Sequence, residues 1–212
     1  MPLKLYYATF TDAPRIAEIY MAAFGSNALL CAQFPTPAVR AALQVAIDVL
    51  VIRDLREKDE GGVSMQEDEV NGKVISFSKW GHPVHEGEDN TEPMWVWPEG
   101  SNIKLLDEWA HKTDVAYKVA LGQTPCYRLS FLGTDPLYER RGAASLMLQW
   151  GINQCKKDNA LAYLESTVET RPLYEKNGFV RVEALSTSIN GLLGDGSSMF
   201  YKEICFLFQA PF

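Results

Sequence analysis

A chain of 212 residues that is 47% hydrophobic, 22% charged and carries a formal net charge of −7 has the length for one domain with a sizeable core, or at most a compact domain with a large insertion. Its basic residues are scattered, which argues against a nucleic-acid backbone or an anionic membrane as a general partner and suits a small or cationic one. Cys31, Cys126, Cys155 and Cys205 lie far apart with no C-x-x-C, the N-terminus lacks a charged-then-apolar signal, and no apolar run approaches membrane-spanning length, so a reduced, cytoplasmic protein is expected.

In chain order, residues 3–8 read as a first strand and residues 11–24 as a first helix. Thr11 or Asp12 can cap that helix, Pro14 suits its first turn, and Ile16, Ile19, Tyr20 and Ala23 form its apolar stripe. Phe34-Pro35-Thr36-Pro37 is a break whose Thr36 caps a second helix, which starts at Pro37 and runs through Val39, Leu43, Ala46, Ile47 and Leu50 to about residue 55. The acidic run at 57–60 reads as its solvated end. Residues 63–69 and 73–80, joined around Asn71-Gly72, have the turn dipeptide and β-branched content of an antiparallel hairpin.

Residues 82–124 read as an insertion before the next strand: a Gly-, Pro- and acid-rich loop, then Met94-Trp95-Val96-Trp97-Pro98, then a helix from 101 to about 121 that stops at Gly122. His82 and His85 are three apart but flank Pro83 in that loop, so no metal site is expected. Trp95, Trp97 and Trp109 suit a pocket wall, because aromatic faces supply apolar area and can hold a cation; packing over their own helix is the commoner use of such residues.

Residues 127–132 predict a strand between Pro125 and Pro136, and Ala143, Leu146, Met147 and Trp150 recur at helical spacing after it. Between them lies a tight basic turn. A helix beginning at Arg140 to Ser145 presents unpaired N–H groups and the positive end of its dipole, which makes an anion site. Gly142, Ala143 and Ala144 let a diphosphate approach the backbone, and Arg140 and Arg141 add charge-assisted hydrogen bonds. A P-loop is excluded because no Lys-Ser/Thr follows the glycine, and a dinucleotide fold because there is no G-x-G-x-x-G.

Residues 160–166 predict a further strand, residues 170–176 a short helix with Gly178 as its left-handed stop, and Phe179 to Val182 the entry to the next strand. Asn190 to Ser198 holds three glycines but no helix follows, so it reads as the connection to a terminal strand at 201–208.

Thr134-Asp135-Pro136 followed by Glu139-Arg140-Arg141-Gly142-Ala143-Ala144 resembles motif A of the GNAT superfamily of acyl-CoA-dependent N-acetyltransferases, and Tyr174-x-x-x-Gly178-Phe179 resembles its motif B. Leu164-Glu165-Ser166 with Arg171 to Lys176 looks like uncharacterised fungal members. Glu139 departs from the pattern, standing where Gln or Arg is usual and bringing a negative charge toward a phosphate.

The resemblance implies an α/β (α+β) fold: one domain over 1–212 with the insertion at about 82–124, and a mixed, mainly antiparallel twisted sheet flanked by helices on both faces. A cofactor would enter where two middle strands splay. It implies acetyl-CoA as co-substrate, with its pantetheine on backbone groups of Phe131, Leu132, Gly133 and Thr134 and its diphosphate on Arg140, Arg141, Gly142, Ala143, Ala144 and Ser145. A primary amine of a small molecule would attack the thioester directly in a ternary complex, with a strand N–H polarising the carbonyl. Tyr174 would protonate the departing thiolate. Glu165 is the leading base for the acceptor ammonium, with Asp135 behind it and a water chain equally compatible. The alternative is a non-catalytic CoA-binding or regulatory module, the reading that Glu139 favours. A homodimer through the terminal strand stays open.

Overall fold

A computed structural model describes residues 3–57, 63–68, 72–85, 95–190 and 198–210. Asn71 of the hairpin turn, residues 58–60 of the acidic run and the glycine-rich connection at 191–197 lie outside these. The elements in order are β1 (Leu3–Tyr7), α1 (Ala13–Phe24), α2 (Ala28–Gln33), α3 (Pro37–Glu57), β2 (Val63–Asp68), β3 (Lys73–Gly81), α4 (Ile103–Leu121), β4 (Cys126–Thr134), α5 (Ala143–Asp158), β5 (Leu161–Thr167), α6 (Arg171–Lys176), β6 (Val180–Asn190) and β7 (Ser198–Gln209).

Seven strands form one sheet in the order β1-β2-β3-β4-β5-β7-β6. Every neighbouring pair is antiparallel except β4–β5, so the sheet is the mixed, mainly antiparallel one that the sequence implies.

Strand alternation divides the core into two layers. Leu148, Ile152 and Cys155 of α5 and Tyr174 of α6 pack on Tyr127 and Leu129 of β4, Leu164 of β5 and Phe206 of β7. The intervening residues Cys126, Tyr163 and Cys205 face the opposite way and are covered by Ala116 and Leu121 of α4. Ile16 and Ile19 of α1 close over Val74 and Phe77 of β3, with α3 stacked outside α1.

Thr36 caps α3 by accepting the Val39 N–H at 3.2 Å, as its Ser/Thr-Pro start predicts. Entry to α1 differs from the expectation: a 3-10 turn over Phe10–Asp12 precedes it, and the Asp12 carboxylate accepts the Thr9 N–H at 2.8 Å instead of capping the helix. Helix α2 has no counterpart in the sequence reading. Its six residues are too few for a periodic signal, and it is held by Asn27, whose Oδ1 accepts the N–H groups of Leu29 and Leu30.

What positions the site is the parting of β4 from β5. Their pairing runs only from Cys126↔Leu161 to Leu129↔Leu164. Beyond it β4 stays with β3 as far as Thr134↔Ser76, and β5 stays with β7 as far as Thr167↔Glu203. The register of β3 against β4 skips Ser130, because Trp80 opposes Leu129 while Lys79 opposes Phe131. A bulge of this kind bends the strand that carries it, so β4 turns away where the gap begins.

Gly151 shows how tightly the α5 layer is filled. A Cβ there would lie 2.2 Å from Cζ2 of the buried Trp80 indole. Gly151→Ala gains about 1 kcal/mol of helix propensity, but overpacking costs about 1–3 kcal/mol and a rigid indole puts it at the upper end. A net loss of about 2 kcal/mol in urea-unfolding free energy is expected.

Candidate active site

Where β4 and β5 part, a cavity of about 350 Å³ opens, bordered by Leu129 to Leu132 of β4, Glu165 to Thr167 of β5, and Tyr201 and Glu203 of β7. Tyr174 reaches it from the α6 side, while α1 supplies Tyr20, the cap of α2 supplies Asn27 and α4 supplies Trp109. The cavity therefore spans the sheet at its one parallel seam and brings Phe131, Leu132, Glu165 and Tyr174 of the sequence reading to one place.

Tyr174 is both packed and aimed at the cavity. Its ring lies 5.5 Å from that of Phe206 and 6.0 Å from that of Phe179. Burial pushes the phenol up to about 12, against a hydrogen bond with Ser166 that favours ionisation. It therefore stays protonated throughout the neutral range.

Glu165 borders the cavity but is not free: Arg128 Nη2 lies 3.0 Å from its Oε1, and its side chain is 10% exposed. Burial raises the Glu165 carboxyl and Arg128 opposes that rise. The balance leaves the Glu165 carboxyl above its ordinary value, yet its Oε1 already has Arg128 as a cationic partner.

Asp135 is not a base candidate in the fold, and here the sequence reading is corrected. Its carboxylate bonds Arg15 of α1, accepts the Leu137 N–H at 3.0 Å, and borders no part of the cavity. Burial works against its charge, yet the Leu137 N–H and Arg15 hold the carboxyl below its ordinary value. Asp135 instead anchors the turn after β4.

That turn enters α5 through two left-handed residues, Arg140 at φ +63° and Gly142 at φ +94°. Gly142 is the N-cap and has no side chain to cap with, and a Cβ on it would meet no atom within 4 Å. Open space thus faces the first turn of α5, whose N–H groups have no intrahelical partner. Arg140 and Ser145 are exposed and Ala144 is half-buried, but Ala143 is buried and packs inward. Arg141 leans on the Tyr138 ring, 4.8 Å from its centre. Gly133 has a reason of its own: a Cβ would sit 2.8 Å from Cε1 of Phe77.

The tryptophans divide. Trp95 and Trp97 stack at 4.7 Å and Trp97 lies on Phe34, which is packing; Trp109 alone of the three borders the cavity, edge-on to Tyr201 at 5.4 Å. His82 sets its ring 5.3 Å from that of Tyr127. Among the described residues no helix is long and apolar enough to cross a membrane.

One group the sequence reading omits is Glu203. Its carboxylate accepts the Tyr201 hydroxyl at 2.5 Å, and Tyr201 in turn accepts the Asn27 amide at 3.0 Å. Burial pushes Glu203 up to about 7, the Tyr201 hydrogen bond pulling the other way and Glu165 adding to the rise. A glutamate alternating in register with Tyr201 and Cys205 on a strand face was the available signal.

Residues 47–179, more than half of the chain, match the model of the acetyltransferase (GNAT) family. Among solved structures, histone acetyltransferase HPA2 and related acetyltransferase from Corynebacterium glutamicum is 19% identical, with TM-score 0.66 over 100% of this chain and 98% of that one. A mosquito arylalkylamine N-acetyltransferase like 5b is 18% identical, with TM-score 0.59 over 99% and 100%. The Drosophila melanogaster polyamine N-acetyltransferase, described as forming N-acetylagmatine, is 14% identical, with TM-score 0.59 over 99% and 100%. A comparison with curated protein sequences finds no match. The two motifs, the splayed parallel seam and the family match converge: the chain belongs to the GNAT acetyltransferase family.

Proposed function

We propose that this protein transfers an acetyl group from acetyl-CoA to a primary amine of a small molecule, by direct attack with both substrates bound. The observation that carries the reading is the cavity at the β4–β5 seam, which gathers a protonated phenol and two carboxylates beside a strand edge without a partner strand. Acetyl-CoA, when bound, supplies the acyl group as a thioester. The backbone from Phe131 to Thr134, beyond the last β4–β5 pair, holds the pantetheine arm. The open first turn of α5, with Arg140 and Arg141, holds the diphosphate. Glu139 is exposed, as Arg140 beside it is.

Tyr174 delivers a proton to the leaving sulfur and regains one from solvent. The aromatic and acidic lining favours an acceptor with an apolar body and an ammonium. Two of the structural relatives are named for amine acceptors, an arylalkylamine and a polyamine, which supports this class without selecting a compound.

Thermal unfolding with acetyl-CoA tests the reading. At 100 times its dissociation constant a ligand stabilises by about 2.7 kcal/mol, which for a chain of this length raises the unfolding temperature by about 5–10 °C. Gly142→Val, forcing a β-branched residue to a left-handed φ at the diphosphate turn, is expected to remove most of that rise. A wild-type protein whose unfolding temperature ignores acetyl-CoA would refute the assignment.

A further inference from the structure

Resting on the proposed acetyl transfer, we infer that Glu203 is the carboxylate that receives the acceptor's ammonium and takes its proton, and that Tyr201 and Asn27 are its positioning residues.

The first ground is pairing. Among the described residues, Glu165 is matched by Arg128, whereas no lysine or arginine lies within salt-bridge distance of Glu203. A carboxylate bordering a cavity and lacking a cation is the natural seat for a cationic ligand. The second ground is placement. Glu203 opposes Thr167, the last paired residue of β5, and so stands at the mouth of the gap that Tyr174 borders from the other side. The third is orientation: the Asn27 amide donates to the Tyr201 oxygen and the Tyr201 hydroxyl donates to Glu203, fixing one carboxylate oxygen and leaving the other for a ligand.

The groups that bear on Glu203 are few. On its own strand there are Tyr201 and the Cys205 thiol, on β5 Glu165 with its Arg128 partner from β4, and on α6 Tyr174. Glu169, in the turn before α6, acts on Tyr201, and the α4 pair Glu108–Lys112 is engaged with Thr187 of β6. None supplies a competing cation. The raised carboxyl, at about 7, narrows the gap to an alkylammonium of pKa ~10 from about six powers of ten to about three. Tyr174 at about 12 and Glu203 at about 7 are thus an acid and a base separated by their surroundings.

The proton account balances. Glu203 takes one proton from the ammonium, and the freed nitrogen pair forms the C–N bond as the thioester C–S bond breaks. Tyr174 gives its proton to the sulfur, the second nitrogen proton restores Tyr174 through solvent, and the proton on Glu203 passes to solvent. The sum is amine cation plus thioester giving amide, thiol and one proton.

Carboxyl-¹³C glutamate labelling followed by NMR reads the group directly. One carboxyl resonance is expected to titrate near pH 7 in the wild type and to be missing from Glu203→Gln; no such resonance overturns the inference, whatever the protein acetylates. Kinetics on a panel of agmatine, spermidine, tyramine and phenethylamine then test its use. For any amine turned over, kcat/KM is expected to rise with pH through about 7. Glu203→Gln should flatten that limb and lower kcat about 100-fold. Tyr201→Phe, losing the hydrogen bond that favours the ionised carboxylate, should move the limb to higher pH, a shift that mere loosening of the fold would not produce. A limb that survives in Glu203→Gln, or that disappears only in Glu165→Gln, overturns the inference while acetyl transfer stands. Absence of transfer to any amine, with acetyl-CoA bound, removes both.

Discussion

Replacing Tyr174 by phenylalanine is expected to lower kcat and kcat/KM together by about 100-fold, for whichever amine the wild type acetylates. The ring contacts that place the residue, with Phe179 and Phe206, are made by carbon and survive the change. What disappears is the hydroxyl, which burial keeps protonated with a value near 12. Its hydrogen bond with Ser166 is worth about 1 kcal/mol, so the fold loses little. An interaction made only as the sulfur departs lowers kcat without touching the binding of the co-substrate. The rise in unfolding temperature produced by acetyl-CoA should therefore match that of the wild type. Unchanged turnover in Tyr174→Phe would reduce the residue to a packing role and shift the proton source to water.

Asp135→Ala is expected to cost about 2–3 kcal/mol of unfolding free energy, measured in urea at pH 7. The Asp135 side chain is 8% exposed and its ion pair with Arg15 joins the turn after β4 to α1. Removing the carboxylate strands a guanidinium that is itself 21% exposed, and leaves the Leu137 N–H without its acceptor. The penalty sits below that of a fully buried pair because Arg15 keeps Glu18 at 2.9 Å and the Val74 carbonyl at 3.0 Å. The sign of its pH dependence follows from the lowered carboxyl. Its stabilisation is complete above the ordinary aspartate value near 4 and is lost as pH falls through the lower folded value. Wild type and Asp135→Ala should thus converge in stability as acid is added. Because Asp135 also aims the turn that leads to Arg140 and Gly142, the variant should bind acetyl-CoA more weakly. A variant as stable as the wild type would show the ion pair to be inert.

Glu203 has the opposite sign. Its folded value lies above the ordinary one, so an ionised Glu203 opposes folding as pH rises through about 7. A carboxylate held at that cost, beside the cavity and without a cation among the described residues, is consistent with a group kept for proton transfer. The matched pair Arg128–Glu165 lies one strand away on the same sheet face.

The amino-acid order alone determined the elements whose signals are local. Pro37 after Thr36, Gly178 after a short helix, the strand–turn–helix from Tyr127 to Trp150 and the tyrosine four residues before Gly178 are written in spacing, because φ limits, capping and side-chain periodicity act over a few residues. Through those signals the family and the mainly antiparallel sheet were legible. Only the tertiary structure decided what each charge faces. Asp135 finds Arg15 120 positions away and is spent on structure; Glu165 finds Arg128 through the β4–β5 register; Glu203 finds Tyr201 and, among the described residues, no cation. Alternation tells which face of a strand a carboxylate occupies, but strand order and the bulge at Ser130 set its neighbours across the sheet, and its charge depends on those neighbours.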